Sequence, residues 1–235
     1  MIVGFTLVEL LVTLGVVAVL LALLIPATVH VRRQSQATVC ASNLRQTATA
    51  LLTYVQENGK GRVPRGAIDF NTTEPLWVEA VGDVMLSGRS WQWADLQRLK
   101  SLHCPSHPVT EFVSSHFLMN AFAFDSEPLW RHSPPVVWSR IKQPSEVPML
   151  VEAADSLGSA RFVLGDLYFE PALMIWRPEH LPGSPRERIG HRRHGSRSNL
   201  AFFDGHVDSR RSGDWTLSLF DDGIRDRWGG SGPPR

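Results

Sequence analysis

Five titratable side chains crowd one short stretch of the chain: His191, His194, Asp204, His206 and Asp208. Neutral imidazole combined with carboxylate suits zinc or another transition ion. A histidine beside a carboxylate can also act as a general base, provided a substrate proton lies within hydrogen-bond reach. The spacing fits no closed zinc motif, however, and the alternation of a strand would send several of these side chains to opposite faces. A structural role is therefore favoured. Asp204-Gly205 is the dipeptide most suited to a type I′ turn, in which both central residues need positive φ, so 199–203 and 206–209 read as a β-hairpin whose register His194 pins.

Other reactive groups lie further apart. Asp214, Asp221, Asp222 and Asp226 suggest calcium, because a hard cation takes several oxygen ligands, but the EF-hand spacing is absent and a solvated acidic turn is favoured. Arg186, Arg188, Arg192, Arg193 and Arg197 could contact phosphates. No aromatics interleave with them, so they read as a solvated, partly disordered loop and nucleic acid is not an expected partner. The two cysteines, Cys40 and Cys104, allow a single disulfide, which fits an oxidising compartment if they lie close together. Eight tryptophans could offer a carbohydrate-stacking face, although large aromatics more often fill cores. Ser, Cys and Thr nucleophile motifs, phosphate-binding glycine loops and paired zinc cysteines are not found. No catalytic activity and no cofactor are expected, with calcium or a transition ion the only candidates.

The elements that must position these groups follow from periodicity. Val31, Ala37, Cys40 or Ala41, Leu44, Ala48, Leu51, Leu52 and Val55 recur at helical steps, with Arg33, Gln36, Asn43, Arg45, Gln46, Gln56 and Glu57 between them, so 29–58 reads as an amphipathic helix closed at Asn58-Gly59. Short β-branched or aromatic runs at 109–113, 147–151, 161–164 and 200–203 read as strands. Trp91 to Leu96 starts a short helix or forms a buried aromatic loop. Regions 64–75 and 126–135 are loops by their Pro, Gly and polar content, and 229–235 has the composition of a disordered tail. With 16 prolines in 235 residues, 20% of them charged and a formal net charge of +1, the chain holds enough material for one loop-rich, β-rich head at 62–228 and gives no global signal for nucleic acid.

One carboxylate stands apart from all of these. From Phe5 to Ile25 every residue except Thr6, Glu9, Thr13 and Gly15 is strongly apolar. As a helix this run spans roughly 30 Å, one hydrocarbon core. An ionisable group there costs at least about 2.5–3.5 kcal/mol on insertion scales, so Glu9 needs a partner. Met1 to Gly4 contains no basic residue, which argues against an ordinary signal peptide.

Gly4-Phe5-Thr6-Leu7-Val8-Glu9-Leu10 resembles the processing motif of type IV prepilins and type II secretion pseudopilins. The resemblance implies cleavage after Gly4 by a prepilin peptidase and methylation of the new terminus at Phe5. It also implies that Glu9 meets the terminal amine of a neighbouring subunit in a filament, and that Pro26 kinks the helix at the end of the span. A second likeness extends along the chain. His194, Asp204 and Gly205 match the segment for which one group of prepilin-like proteins is named, a histidine, nine residues and Asp-Gly. Cys40-Ala41-Ser42-Asn43-Leu44-Arg45-Gln46, Cys104-Pro105-Ser106, Met119-Asn120 and the 144–148 stretch resemble further elements of that group.

The expected fold is α+β and pilin-like. A leader at 1–4 precedes a transmembrane helix at 5–28, which continues into the amphipathic helix and packs on a small, mostly antiparallel β head. The expected function is that of a membrane-anchored subunit of a pseudopilus or pilus-like filament. It would sit once through the cytoplasmic membrane, its head periplasmic or extracellular, with other pilin-like subunits as partners. A non-polymerising surface protein whose head binds metal or polysaccharide is the alternative from another class. A DNA-binding minor pilin is a third.

Overall fold

A computed structural model describes residues 6–57, 60–65, 75–87, 90–108, 115–122, 124, 136–155, 174–175 and 177–224. Gly4, Phe5, Asn58-Gly59, Asp226, the strand readings at 109–113 and 161–164 and the 229–235 tail lie outside them.

Helix α1, Leu7–Glu57, runs as one element of 51 residues through position 26. Its start follows from a capping box. The Thr6 backbone N–H and hydroxyl each donate to Glu9 Oε2 at 2.8 Å, and the Glu9 N–H donates back to Thr6 Oγ1 at 3.3 Å. Burial then divides the helix. Its large apolar residues between Leu7 and Ile25 are all exposed, from 50% at Val17 to 76% at Leu7, whereas Cys40, Leu44, Ala48 and Leu51 are fully buried. Packing thus begins near Cys40 rather than at position 29, and Val29, Val31 and Val39 remain exposed.

The buried half of α1 lies on a five-stranded sheet. In chain order the strands are β1, Arg62–Val63; β2, Phe117–Asn120; β3, Val136–Val137; β4, Pro148–Glu152; β5, Met174–Ile175; β6, Arg197–Phe202; and β7, Val207–Arg211. Sheet order is β5-β2-β4-β6-β7, while β1 and β3 form a separate antiparallel pair. Among the described residues every strand pairing is antiparallel except β2 with β5, so the architecture is α+β with a mixed sheet.

Period-two alternation gives the sheet two buried faces. Met119, Leu150, Ala201 and Phe203 meet α1 and α2, Trp77–Met85, together with Trp77, Val78 and Val81. Leu118, Val151, Leu200 and Phe202 point the other way, onto Phe122, Trp215 and Phe220. Central strands covered on both sides are buried at nearly every position, as Pro148–Glu152 and the run 198–202 are, and their polar members Glu152, Ser198 and Asn199 hydrogen-bond one another. The edge strand β7 carries Asp208, Arg210 and Arg211, charges that discourage further pairing.

Candidate functional site

The hairpin is present, but its turn differs from expectation. Within the 203–206 turn only Gly205 has positive φ, at 91°, so Asp204 does not share the conformation that a type I′ turn requires. Phe202 instead donates to His206 O and accepts from Gly205 N–H, both at 2.9 Å, closing a three-residue loop. The Asp204 carboxylate makes this form stable by accepting the His206 backbone N–H at 3.0 Å, with His206 Nδ1 at 2.6 Å. The tip rests on α1, where a β-carbon added at Gly205 would lie 3.1 Å from Leu52.

The metal candidates named from sequence do not converge. Asp204 and His206 pair with each other at the turn, and His191 faces Glu187 at 3.6 Å. His194 lies beyond the opposite end of β6, six residues of strand at about 3.3 Å each from the turn, so it forms no dyad with Asp204. Its backbone N–H donates to Arg197 O at 3.0 Å, a bond within the turn that leads into β6 and does not reach β7.

The His194 side chain instead meets residues from three other elements. Nε2 lies 2.9 Å from Glu152 Oε1, at the end of β4, and 3.6 Å from Cys104 Sγ. Cys40, on α1, donates its thiol to the same Glu152 oxygen at 2.7 Å. The four ligand atoms all lie within 4.8 Å of one another. Both cysteines are free thiols, side by side and buried. No family model, curated protein or solved structure matches the chain. The chemistry of the cluster therefore has to come from its own geometry.

Local structure explains how each member arrives. Cys40, Asn43, Leu44 and Thr47 share one face of α1 by three- and four-residue steps. Asn43 donates to His103 O at 2.8 Å and Thr47 to Ser101 O at 2.6 Å, which ties the segment leading to Cys104 along the helix. Arg45 and Gln46, from the same sequence element, face solvent. Glu152 shares the helix-facing phase of β4 with Leu150. Gly190 lets the loop carrying His194 cross the strand end, since a β-carbon there would sit 2.4 Å from Ala153 O. Arg193 fastens that loop to Ala153 O and, at 2.9 Å, to Asp155.

Glu152 is wholly buried and heavily hydrogen-bonded. Besides Cys40 and His194, Ser198 Oγ donates to Oε2 and Asn199 Nδ2 to Oε1, each at 2.9 Å. Burial pushes its carboxyl up, but His194, the Cys40 thiol and Arg193 together hold it below the ordinary carboxylate value. Burial pulls His194 down, and the adjacent Cys104 and Glu152 outweigh that, raising the imidazole to about 9. Burial raises the Cys40 thiol, whereas the Cys40 contact, opposed by burial, lowers Cys104. A Cys-His-Glu row of this kind can act as a nucleophile only where substrate can reach it. Here Cys40, Cys104 and Glu152 are sealed, so the arrangement suits a structural role.

The remaining candidates also find places. Asp222 is not part of a solvated acidic turn: it pairs with Arg65 at 2.8 Å, both side chains fully buried, and Arg65 also donates to Phe122 O at 2.8 Å. Asp221 accepts from Gly223 N–H and Asp214 from Arg211 N–H, so the described aspartates cap turns and do not converge on a cation site. Nor is the arginine segment simply solvated, because Arg193 is buried against Asp155 and Arg197 bonds Ser209. Trp77 and Trp215 lie in the core, while Trp138 donates to Phe203 O. Sequence reasoning missed Glu152. Its signal was a lone carboxylate at the end of an otherwise apolar strand.

Proposed function

We propose that the chain is a prepilin-like, membrane-anchored subunit, cleaved after Gly4, N-methylated at Phe5 and assembled with other pilin-like subunits into a pseudopilus or pilus-like filament. Its head lies in the periplasm or outside the cell, and it works by packing rather than catalysis. The observation that carries this reading is the division of α1. One helix is apolar and exposed on all sides over its first part, then buried against a head over its second.

That exposed part is long and apolar enough to cross a membrane. An isolated helix with an apolar surface on every side has no stable place in water, so it must be covered by lipid or by other helices. Residues 7–25 span about 28 Å at 1.5 Å per residue, which fits either cover. The resemblance of residues 4–10 to the prepilin processing motif favours a span that later enters a filament core. Glu9 then has two roles, capping its own helix and accepting the terminal amine of a neighbour.

Separating these roles tests the reading. Thr6→Val removes the hydroxyl's part of the cap, a loss of about 1 kcal/mol, while the backbone N–H at position 6 still meets Glu9 and the carboxylate stays available. Glu9→Val removes both. Both variants are expected to insert in membranes, with cross-linked multimers retained in Thr6→Val and lost in Glu9→Val. Multimers unchanged in Glu9→Val would refute the assembly role.

A further inference from the structure

We propose that Cys40, Cys104, Glu152 and His194 form a closed four-ligand site for a zinc-class transition ion that fastens α1 to the sheet. This inference stands apart from filament assembly, because it concerns only how the head holds its helix.

Donor identity comes first. Two thiols, one imidazole and one carboxylate form a set that selects zinc and related borderline ions over calcium or magnesium, which prefer oxygen alone. Geometry agrees. Metal distances of about 2.3 Å to sulfur and about 2.0–2.2 Å to nitrogen and oxygen give tetrahedral edges of about 3.3–3.8 Å. The Cys104–His194 edge, 3.6 Å, already falls in that range, while the His194–Glu152 edge of 2.9 Å and the Cys40–Glu152 edge of 2.7 Å are hydrogen-bond distances that must open by roughly half to one ångström as the ion replaces the shared protons.

Four separate pieces of chain supply the ligands, and hydrogen bonds orient them. Ser198 and Asn199 hold the Glu152 carboxylate in place. Such outer contacts are what fixes a ligating group. Coordination needs both sulfurs as thiolates and His194 as neutral imidazole, so the protons held by the thiols and by the imidazolium pass to solvent. Two thiolates, one carboxylate and a neutral imidazole then leave one excess negative charge around a divalent ion, and the Arg193 guanidinium beside Ala153 lies close enough to offset it. Four protein ligands and a sealed setting leave no open position for substrate, which is the pattern of a structural site rather than a catalytic one.

A disulfide between the same thiols, or hydrogen bonds alone, would also join α1 to the head, and the test separates all three. The full-length chain is purified in detergent under reductant, freed of metal and reductant without air, and titrated with Co2+ and then Zn2+. The site predicts one equivalent of Co2+ with the strong visible bands of tetrahedral cobalt and thiolate charge transfer, displaced by Zn2+. Binding should weaken at least ten-fold in Cys104→Ser and in His194→Gln. Protein taken directly from cells should contain zinc and two thiols that react only after chelation. Reactive thiols with no tetrahedral spectrum would overturn the proposal, as would a native Cys40–Cys104 disulfide or undiminished binding in His194→Gln. If the variants do not fold, the wild-type titration and the cell-derived protein decide.

Discussion

Gly205 carries two constraints at once: a φ of 91° and a tight approach to Leu52. Left-handed backbone costs a residue with a β-carbon about 1–2 kcal/mol, and the 3.1 Å contact adds to that. Gly205→Ala should therefore lower head stability by about 1–3 kcal/mol in denaturant unfolding. Gly213→Ala, where a β-carbon meets nothing within 4 Å, should stay within about 0.5 kcal/mol of the native chain. Equal effects from the two would contradict the proposed tip packing. Asp204-Gly205 was legible as a turn because its composition is local information. The form of the turn was not, since it depends on which partner the Asp204 carboxylate finds, and that partner is His206. The cluster at Glu152 was hidden for a related reason: Cys40, Cys104 and His194 each stood out in sequence, but only the β4–β6 pairing and the packing of α1 bring them together.

At the scale of elements, the helix is where sequence spoke most clearly. Its 51 residues follow from continuous apolar content and then one-sided periodicity. The point at which it meets the head did not follow, because periodicity marks an apolar face without recording what covers it, and Val29, Val31 and Val39 stay exposed. Strands β4 and β6 were readable from β-branched and aromatic residues. Phe117–Asn120 was not, although Asn120 fixes that strand's end by donating to Pro148 O at 2.9 Å and Phe220 O at 3.1 Å. The division of α1 makes a paired prediction. Leu44→Ala, in the core, should destabilise the head by about 2–5 kcal/mol, read from tryptophan emission of the detergent-solubilised full chain during unfolding. Leu20→Ala, on the exposed half, should leave that transition within about 0.5 kcal/mol. A comparable loss from Leu20→Ala would mean that the first half also packs on the head.

For the molecule as a whole, the α+β architecture was accessible from the order of periodic segments, while the mixed character of the sheet was not. One parallel pairing, β2 with β5, joins segments whose alignment no local pattern records. The whole-molecule claim is that this head is carried by a helix that is processed at its start and then buried among its own kind. Intact-protein mass is its most direct test. Protein extracted from membranes of a host with an active prepilin peptidase should lack Met1 to Gly4 and carry one added methyl group at Phe5. A full-length, unmethylated mass from that host would contradict the account.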